Sequence, residues 1–394
     1  MPKILRIINR FNLGGPTYNV AYLSKFLAPE YETLLVGGIQ DKNETSSDYI
    51  TSKLGLEPII IDEMQREING VNDLIAYRKI TKIIKSYKPD IVHTHASKAG
   101  FLGRYAAMNN NVPTIVHTFH GHIFHSYFNR YKTKFFKTIE RTLAKNTSKI
   151  IAISNKQLYE LCDVHKIAPK EKFTVIPLGF DLERFQDNYN LKRESFRNEY
   201  NLSEDEIAIS IIGRLVPVKN HRLFIKSIKF AKENTNKKLR AFIVGDGDLK
   251  WDLQEFATQL GLSFSNSENK KEKSDICFTS WIKDADYVFA GSDIVALTSL
   301  NEGTPVSLIE AQAANKPIIS TSVGGIEDVV MDGKTALLSP NNELIPFSQN
   351  LCELITNDLL RTEMGQYGYE FVKQRYHYTR LVNDMKELYQ SLLQ

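Results

Sequence analysis

Short apolar runs rich in Ile and Val alternate with longer amphipathic stretches along most of the chain. In the first half the apolar runs predict strands at Ile4–Ile8, Thr33–Val36, Pro58–Ile61, Ile91–Thr94, Thr114–Thr118, Ile150–Ile153 and Phe173–Ile176. In the second half they predict strands at Ile207–Ile212, Ala241–Val244, Ile276–Thr279, Ile294–Leu297 and Pro317–Ser320. Helical periodicity fills the gaps, as at Leu74–Tyr87, Tyr127–Ala144, Arg222–Glu233, Leu249–Leu260, Pro305–Ala314 and Leu344–Asn357. Continuous apolar strands alternating with helices imply parallel sheets covered on both faces.

The alternation pauses between Gly179 and Glu206, where the chain is polar, so the domain boundary is expected there. This gives an α/β protein of two doubly wound, Rossmann-like domains, 1–180 and 206–375, joined by a linker at 181–205. Two such domains in series face each other across a cleft, and ligands bind at the carboxyl ends of the strands. A second polar run, SNSENKKEKS at 265–274, reads as a mobile surface loop. No internal repeat is evident.

Composition narrows this picture. With 394 residues, 42% hydrophobic and 24% charged, the chain is globular rather than disordered or fibrous. No apolar run reaches the roughly 18 residues of a membrane helix, and the N-terminus lacks the pattern of a signal peptide. The cysteines Cys162, Cys277 and Cys352 are odd in number and widely spaced, which excludes a disulfide framework and favours the cytoplasm. The net charge of +4 hides an asymmetry of +10 in residues 1–180 against −6 in the rest. The first half is therefore suited to face something anionic.

Candidate chemistry lies just after the strands. In SLNEGTPVSLIEAQAA, Thr304 fits an N-cap and Pro305 the first helical position. That leaves the N–H groups of Val306, Ser307 and Leu308 free at the positive end of a helix, an anion site suited to a diphosphate. Glu302 and Glu310 flank it and can accept sugar hydroxyls. Gly213-Arg214 and Lys219 follow another strand and read as a second anion clamp. Gly14-Gly15 after the first strand allows close backbone approach, but it is not a dinucleotide fingerprint. Six of nine histidines fall between His93 and His125. Their spacing matches no zinc signature, so His120 at a strand end is read as a substrate contact and no metal is expected. Aromatic and basic residues interleave over 124–149, which suits an anionic membrane surface.

These landmarks together resemble the family 4 glycosyltransferases of the GT-B fold, over nearly the full length. The matching segments are Gly14-Gly15, VHTHASKAG, HTFHGH, IAIS, IPLGFD, GRLVPVK, VGDG, NEGTPVSLIEA and SVGGIEDVVMDGKTALL, in that order. The resemblance implies retaining, metal-independent transfer of a sugar from a nucleotide-diphosphate sugar, with UDP the commonest base. It implies that Arg214, Lys219 and the backbone at 306–308 hold the diphosphate. Glu310 would hold the ribose, Glu302 the donor sugar, and His120 the sugar near its reacting face. Gly14, Gly15, Gly213, Gly303 and Thr304 would belong to the same donor site, with His95 and Lys98 toward the acceptor. The C-terminal helix at 376–394 would cross back onto the first domain. HTHASKAGFLGR with HTFHGHIFHSYF resembles bacterial enzymes of surface-polysaccharide assembly, whose acceptors are glycans, often on polyprenyl diphosphate. An enzyme of that kind works in the cytoplasm or peripherally on the inner face of the membrane. Where the family often has Pro-Glu after two glycines, this chain has Ile326-Glu327-Asp328, so either acid could take that place.

Two other classes compete: a nucleotide-sugar epimerase on the same scaffold, and a non-catalytic nucleotide-sugar-binding module. An acceptor-free product assay separates the first from a transferase. The intact set of Glu302, Glu310, Arg214, Lys219 and His120 argues against the second. A nucleic-acid protein is the weakest reading, because the basic residues lie outside any nucleic-acid motif.

Overall fold

Runs of Ile and Val cannot satisfy a solvated face, and the chain buries them in two all-parallel seven-stranded sheets. The computed structural model describes all residues but 13, 41–46, 66 and 122–129, and leaves out the side chains of 48 and 130–132. The chain divides into one unit of residues 1–180 with 376–394 and another of residues 181–375.

The first unit contains β1 (Lys3–Arg10), β2 (Glu32–Gly38), β3 (Ile59–Ile60), β4 (Ile91–His95), β5 (Thr114–Phe119), β6 (Lys149–Ala152) and β7 (Phe173–Val175). Their order is β3-β2-β1-β4-β5-β6-β7. The order reverses direction beside β1, and β1 and β4 pair in register with Arg6 opposite His93 and Ile8 opposite His95. The helix Tyr378–Leu393 lays Leu381, Val382, Met385 and Tyr389 on a core with Ile4, Leu23, Ile91, Val116 and Ile176. Each large aliphatic side chain buried this way contributes roughly 1.5–3 kcal/mol. Arg380 ties the same helix to the carbonyls of Pro177 and Leu178 at 2.8 and 2.6 Å.

The second unit contains β8 (Glu206–Ile212), β9 (Lys238–Val244), β10 (Phe264–Asn266), β11 (Ile276–Ser280), β12 (Ile294–Leu297), β13 (Ile318–Thr321) and β14 (Ala336–Ser339), in the order β10-β11-β9-β8-β12-β13-β14. Every strand predicted above is present. The pattern missed the short edge strands β10 and β14.

Two expectations need correction. The stretch 181–205 is no linker. It forms the turn Glu183–Phe185 and the helix Tyr189–Glu199 within the second unit, where Phe185, Phe196 and Tyr200 are buried. Three aromatics in a polar stretch were enough to fix it. The run 265–274 is also no free loop. It opens with β10, and the buried Arg240 donates to the carbonyls of Lys270 (2.9 Å) and Glu272 (2.6 Å). Lys270 and Lys273 add ion pairs to Glu199 and Glu206. The three cysteines are free thiols, with only Cys277 fully buried.

Candidate functional site

In the second unit, three loops at the carboxyl ends of β8, β12 and β13 are laced together. Leu300 N–H donates to Val218 O at 2.8 Å, and Thr298 Oγ1 donates to Lys219 O at 2.9 Å. Gly325 N–H donates to Glu302 O at 3.0 Å. This lacing fixes Glu302, whose side chain is largely buried. Lys219 Nζ lies 2.5 Å from Glu302 Oε1, and Ser299 Oγ donates to that same oxygen at 2.5 Å. Oε2 has no hydrogen-bonding partner among the described residues. One carboxylate oxygen is thus anchored and the other is not. Arg214, at the end of β8, is exposed, and its guanidinium makes no ion pair with a described residue.

The helix after this loop is Val306–Ala313, so it starts one residue later than expected, with Pro305 rather than Thr304 in the capping position. Proline at φ −74° and ψ 98° has left the helical region, which delays the first turn. Leu308 N–H is not free, since it donates to Pro305 O at 3.1 Å. Val306 and Ser307 N–H have no acceptor among the described residues, so two donors rather than three remain at the positive helix end. One turn on, Glu310 accepts from Arg184 Nη2 at 3.1 Å. Burial pushes the Glu310 carboxyl up, Arg184 pulls it back, and Asp286 raises it further. Arg184 in turn packs over the ring of Phe185. The sequence reading missed Arg184, because it sits inside the supposed linker.

Gly324 holds the Glu302 loop. Its φ is +59°, and a Cβ there would lie 2.0 Å from Glu302 O. Gly324→Ala is expected to cost about 2–3 kcal/mol, because the backbone of Glu302 must move. Urea denaturation of the variant checks this. Beside Gly324, Glu327 rather than Asp328 accepts from Ser322 Oγ, at 2.5 Å.

In the first unit, Gly14 caps the helix Gly15–Phe26, and Thr17 N–H donates to Gly14 O at 3.1 Å. The histidines form a connected group. His93 Nδ1 meets Arg6 Nη1 at 3.0 Å and Tyr389 Oη at 2.5 Å, while its Nε2 meets Thr118 Oγ1 at 2.8 Å. His95 Nε2 lies 3.4 Å from Arg6 Nη1, and its Nδ1 lies 2.9 Å from His120 Nε2. His117 pairs with Thr94 Oγ1 and packs on Gly100. Burial drives His93, His95 and His117 well below the ordinary imidazole value, with Arg6 and the neighbouring rings adding to it for the first two. His120 is pushed down to about 3 by burial. All four rings are therefore neutral at pH 7.

This geometry revises the acceptor assignments. His95 is fully buried with both ring nitrogens engaged, so it acts on His120 rather than facing an acceptor. Lys98 is held by Asp73 Oδ1 at 2.7 Å and by Glu67 O. Among the described residues no group of three His, Cys, Asp or Glu could hold a metal. Arg6 aims its donors at the lone pairs a metal would need on His93 and His95. His122 and His125 lie outside the described residues, as does 124–129 of the basic aromatic segment. Its described part is the helix Arg130–Lys145, with Phe135 62% exposed. No helix among the described residues is long and apolar enough to cross a membrane.

Comparison with known proteins adds to this geometry. Residues 192–371 match the family model "Glycosyl transferases group 1", and residues 44–184 match "Glycosyltransferase Family 4". The chain is 30% identical over 345 residues to the UDP-Gal:alpha-D-GlcNAc-diphosphoundecaprenol alpha-1,3-galactosyltransferase of Escherichia coli, covering 87% of this chain and 85% of that one. It is 24% identical to the capsular polysaccharide biosynthesis glycosyltransferase CapM of Staphylococcus aureus, covering 84% of each. Among solved structures, Anabaena HepE in complex with UDP superposes with a TM-score of 0.80 at 18% identity, covering 99% of this chain and 100% of that one.

Proposed function

The chain belongs to the family 4 glycosyltransferases with the GT-B fold, and from that premise we propose a reaction. It moves a sugar from a UDP-sugar to a glycan or polyprenyl-diphosphate-linked acceptor in surface-polysaccharide assembly. Transfer retains the anomeric configuration and needs no metal. The observation that carries this reading is Glu302, tied through Oε1 to Lys219 and Ser299 with Oε2 left for a sugar hydroxyl.

Breaking the bond from the anomeric carbon to the diphosphate places negative charge on the departing oxygens. Arg214, Lys219 and the N–H groups of Val306 and Ser307 answer that charge, the part a metal ion plays elsewhere. Lys219 is already held in place by Glu302, so little reorganisation accompanies the reaction. Glu310, steadied by Arg184, takes the ribose hydroxyls. His120 donates to the donor sugar. The UDP and lipid-diphosphate assignments rest on the relatives named above, whose descriptions specify UDP-galactose, a diphosphoundecaprenol and a UDP complex.

The first experiment is thermal denaturation with UDP-, GDP-, ADP- and TDP-sugars in EDTA. At a hundred times Kd, a ligand adds about 2.7 kcal/mol to the native state. The UDP-sugars are expected to shift the melting temperature, and the shifting donor then to transfer onto GlcNAc-diphosphoundecaprenol with its anomeric configuration retained. An inverted product, or transfer abolished by EDTA, would refute the mechanism. UDP-sugar conversion without acceptor would favour the epimerase.

The +10 charge of residues 1–180 and the exposed Phe135 beside Lys134 support contact with an anionic membrane surface. Co-sedimentation is expected with anionic vesicles and not with neutral ones. Equal binding to both would remove the electrostatic argument.

A further inference from the structure

Arg6 is an oddity inside an apolar strand. Its side chain is fully buried in β1, and it forms no ion pair with a described carboxylate. Its hydrogen bonds are instead from Nη1 to His93 and His95, while Nε and Nη2 have no partner among the described residues. A guanidinium has donors and no acceptor. Every nitrogen that Arg6 contacts must therefore carry a lone pair.

The consequences run outward one ring at a time. His93 Nδ1 accepts from Arg6, so neutral His93 holds its proton on Nε2 and donates to Thr118 Oγ1. Tyr389 fits this arrangement, since with Nδ1 unprotonated its hydroxyl is the donor in the 2.5 Å contact to that nitrogen. His95 Nε2 also accepts from Arg6, so its proton sits on Nδ1 and is donated to His120 Nε2. His120 Nε2 is then an acceptor, and the His120 proton must sit on Nδ1. That Nδ1 is buried and has no partner among the described residues. A buried donor without an acceptor is destabilising, and a ligand oxygen would supply the acceptor.

We propose that Arg6 is a positioning residue that, through His95, holds His120 as the neutral Nδ1–H tautomer and so turns it into a hydrogen-bond donor for a ligand hydroxyl or ether oxygen. The choice of a sugar oxygen rests on the function proposed above, whereas the tautomer does not. Arg6 never touches the ligand. Its cation also opposes a second proton on His93 and His95, so the relay cannot reverse by protonation.

The test is a two-bond proton–nitrogen correlation spectrum of the full-length, 15N-histidine-labelled protein at pH 7.5, with His120 assigned by its loss in His120→Asn. The expected spectrum shows His120 as Nδ1–H and His95 as Nδ1–H. An Nε2–H or doubly protonated His120 overturns the proposal, and this reading of the wild-type protein needs no variant to fold. Arg6→Gln can accept as well as donate, so it is expected to release the tautomers into mixtures. With UDP-galactose as donor it is expected to lower kcat about tenfold to a hundredfold with UDP affinity unchanged. Arg6→Lys keeps a donor-only cation and is expected to retain the Nδ1–H form. If Arg6→Gln lost activity with the His120 signal unchanged, the role of Arg6 would be structural and the proposal wrong. If His120→Asn kept full transfer while the wild-type tautomer was as stated, the ligand contact would fail and the relay would stand.

Discussion

Between pH 7 and pH 5.5 the first unit loses most of its stability, while the second falls much less. The cause is the buried group His93, His95, His117 and His120, whose rings all resist protonation in the native state. In the unfolded chain each takes up a proton near its ordinary value of 6.5. Depressed native values mean that the unfolded state binds more protons below that pH. The stability is therefore complete above about pH 6.5 and is lost as pH falls toward the native values. Each such ring costs up to about 1.4 kcal/mol per pH unit in that window, so four cost up to about 6 kcal/mol per unit. That is as large as the whole stability of many domains, about 5–15 kcal/mol. In the second unit the comparable group is His221, held down to about 4 by burial and by Lys219. Urea denaturation at pH 7.5, 6.5 and 5.5, with hydrogen exchange to separate the two units, measures this directly. A stability that stays level from pH 7.5 to 5.5 would show that these rings are protonated in the native protein.

Lys219→Met is expected to lower kcat for sugar transfer about a hundredfold to a thousandfold. The substitution keeps the aliphatic stem that lies over Gly213 and removes only the charge. Glu302 keeps its bond from Ser299, so the loop stays in place and the melting temperature changes little. The loss is then in the response to charge on the departing diphosphate rather than in folding. UDP binding weakens less than kcat falls, since the lysine acts most strongly where charge develops. Steady-state kinetics beside a melting curve separate the two effects. Full activity in Lys219→Met, or a loss matched by a collapse of the melting temperature, would remove Lys219 from the chemistry.

The parallel α/β architecture was legible because its signal is local. An Ile-Val run such as Ile91-Val92 or Ile150-Ile151 reports its own burial, and the spacing of such runs predicts parallel sheets. The edge strands β10 and β14 were less legible, since three or four residues at an edge show little period. Polarity misled at 181–205 and 265–274. There, a few aromatics and one buried arginine, Arg240, order backbone whose own side chains look solvated.

The site divides along the same line. Loop positions at strand ends, with their glycines and charged residues, could be read from the chain one at a time. The residues that hold them could not. Arg184 reaches Glu310 across 126 positions, Lys219 reaches Glu302 across 83, and Tyr389 reaches His93 across 296. Arg6 was visible as a charge inside an apolar strand, but its meaning depended on the β1–β4 register that sets it beside His93. The sequence by itself determined the order of strands and helices and the residue types at their ends, because burial of apolar surface follows local periodicity. Only the tertiary structure decided which polar groups meet and which nitrogens must accept, because a hydrogen bond needs a partner within about 3 Å, and no period in the chain encodes one.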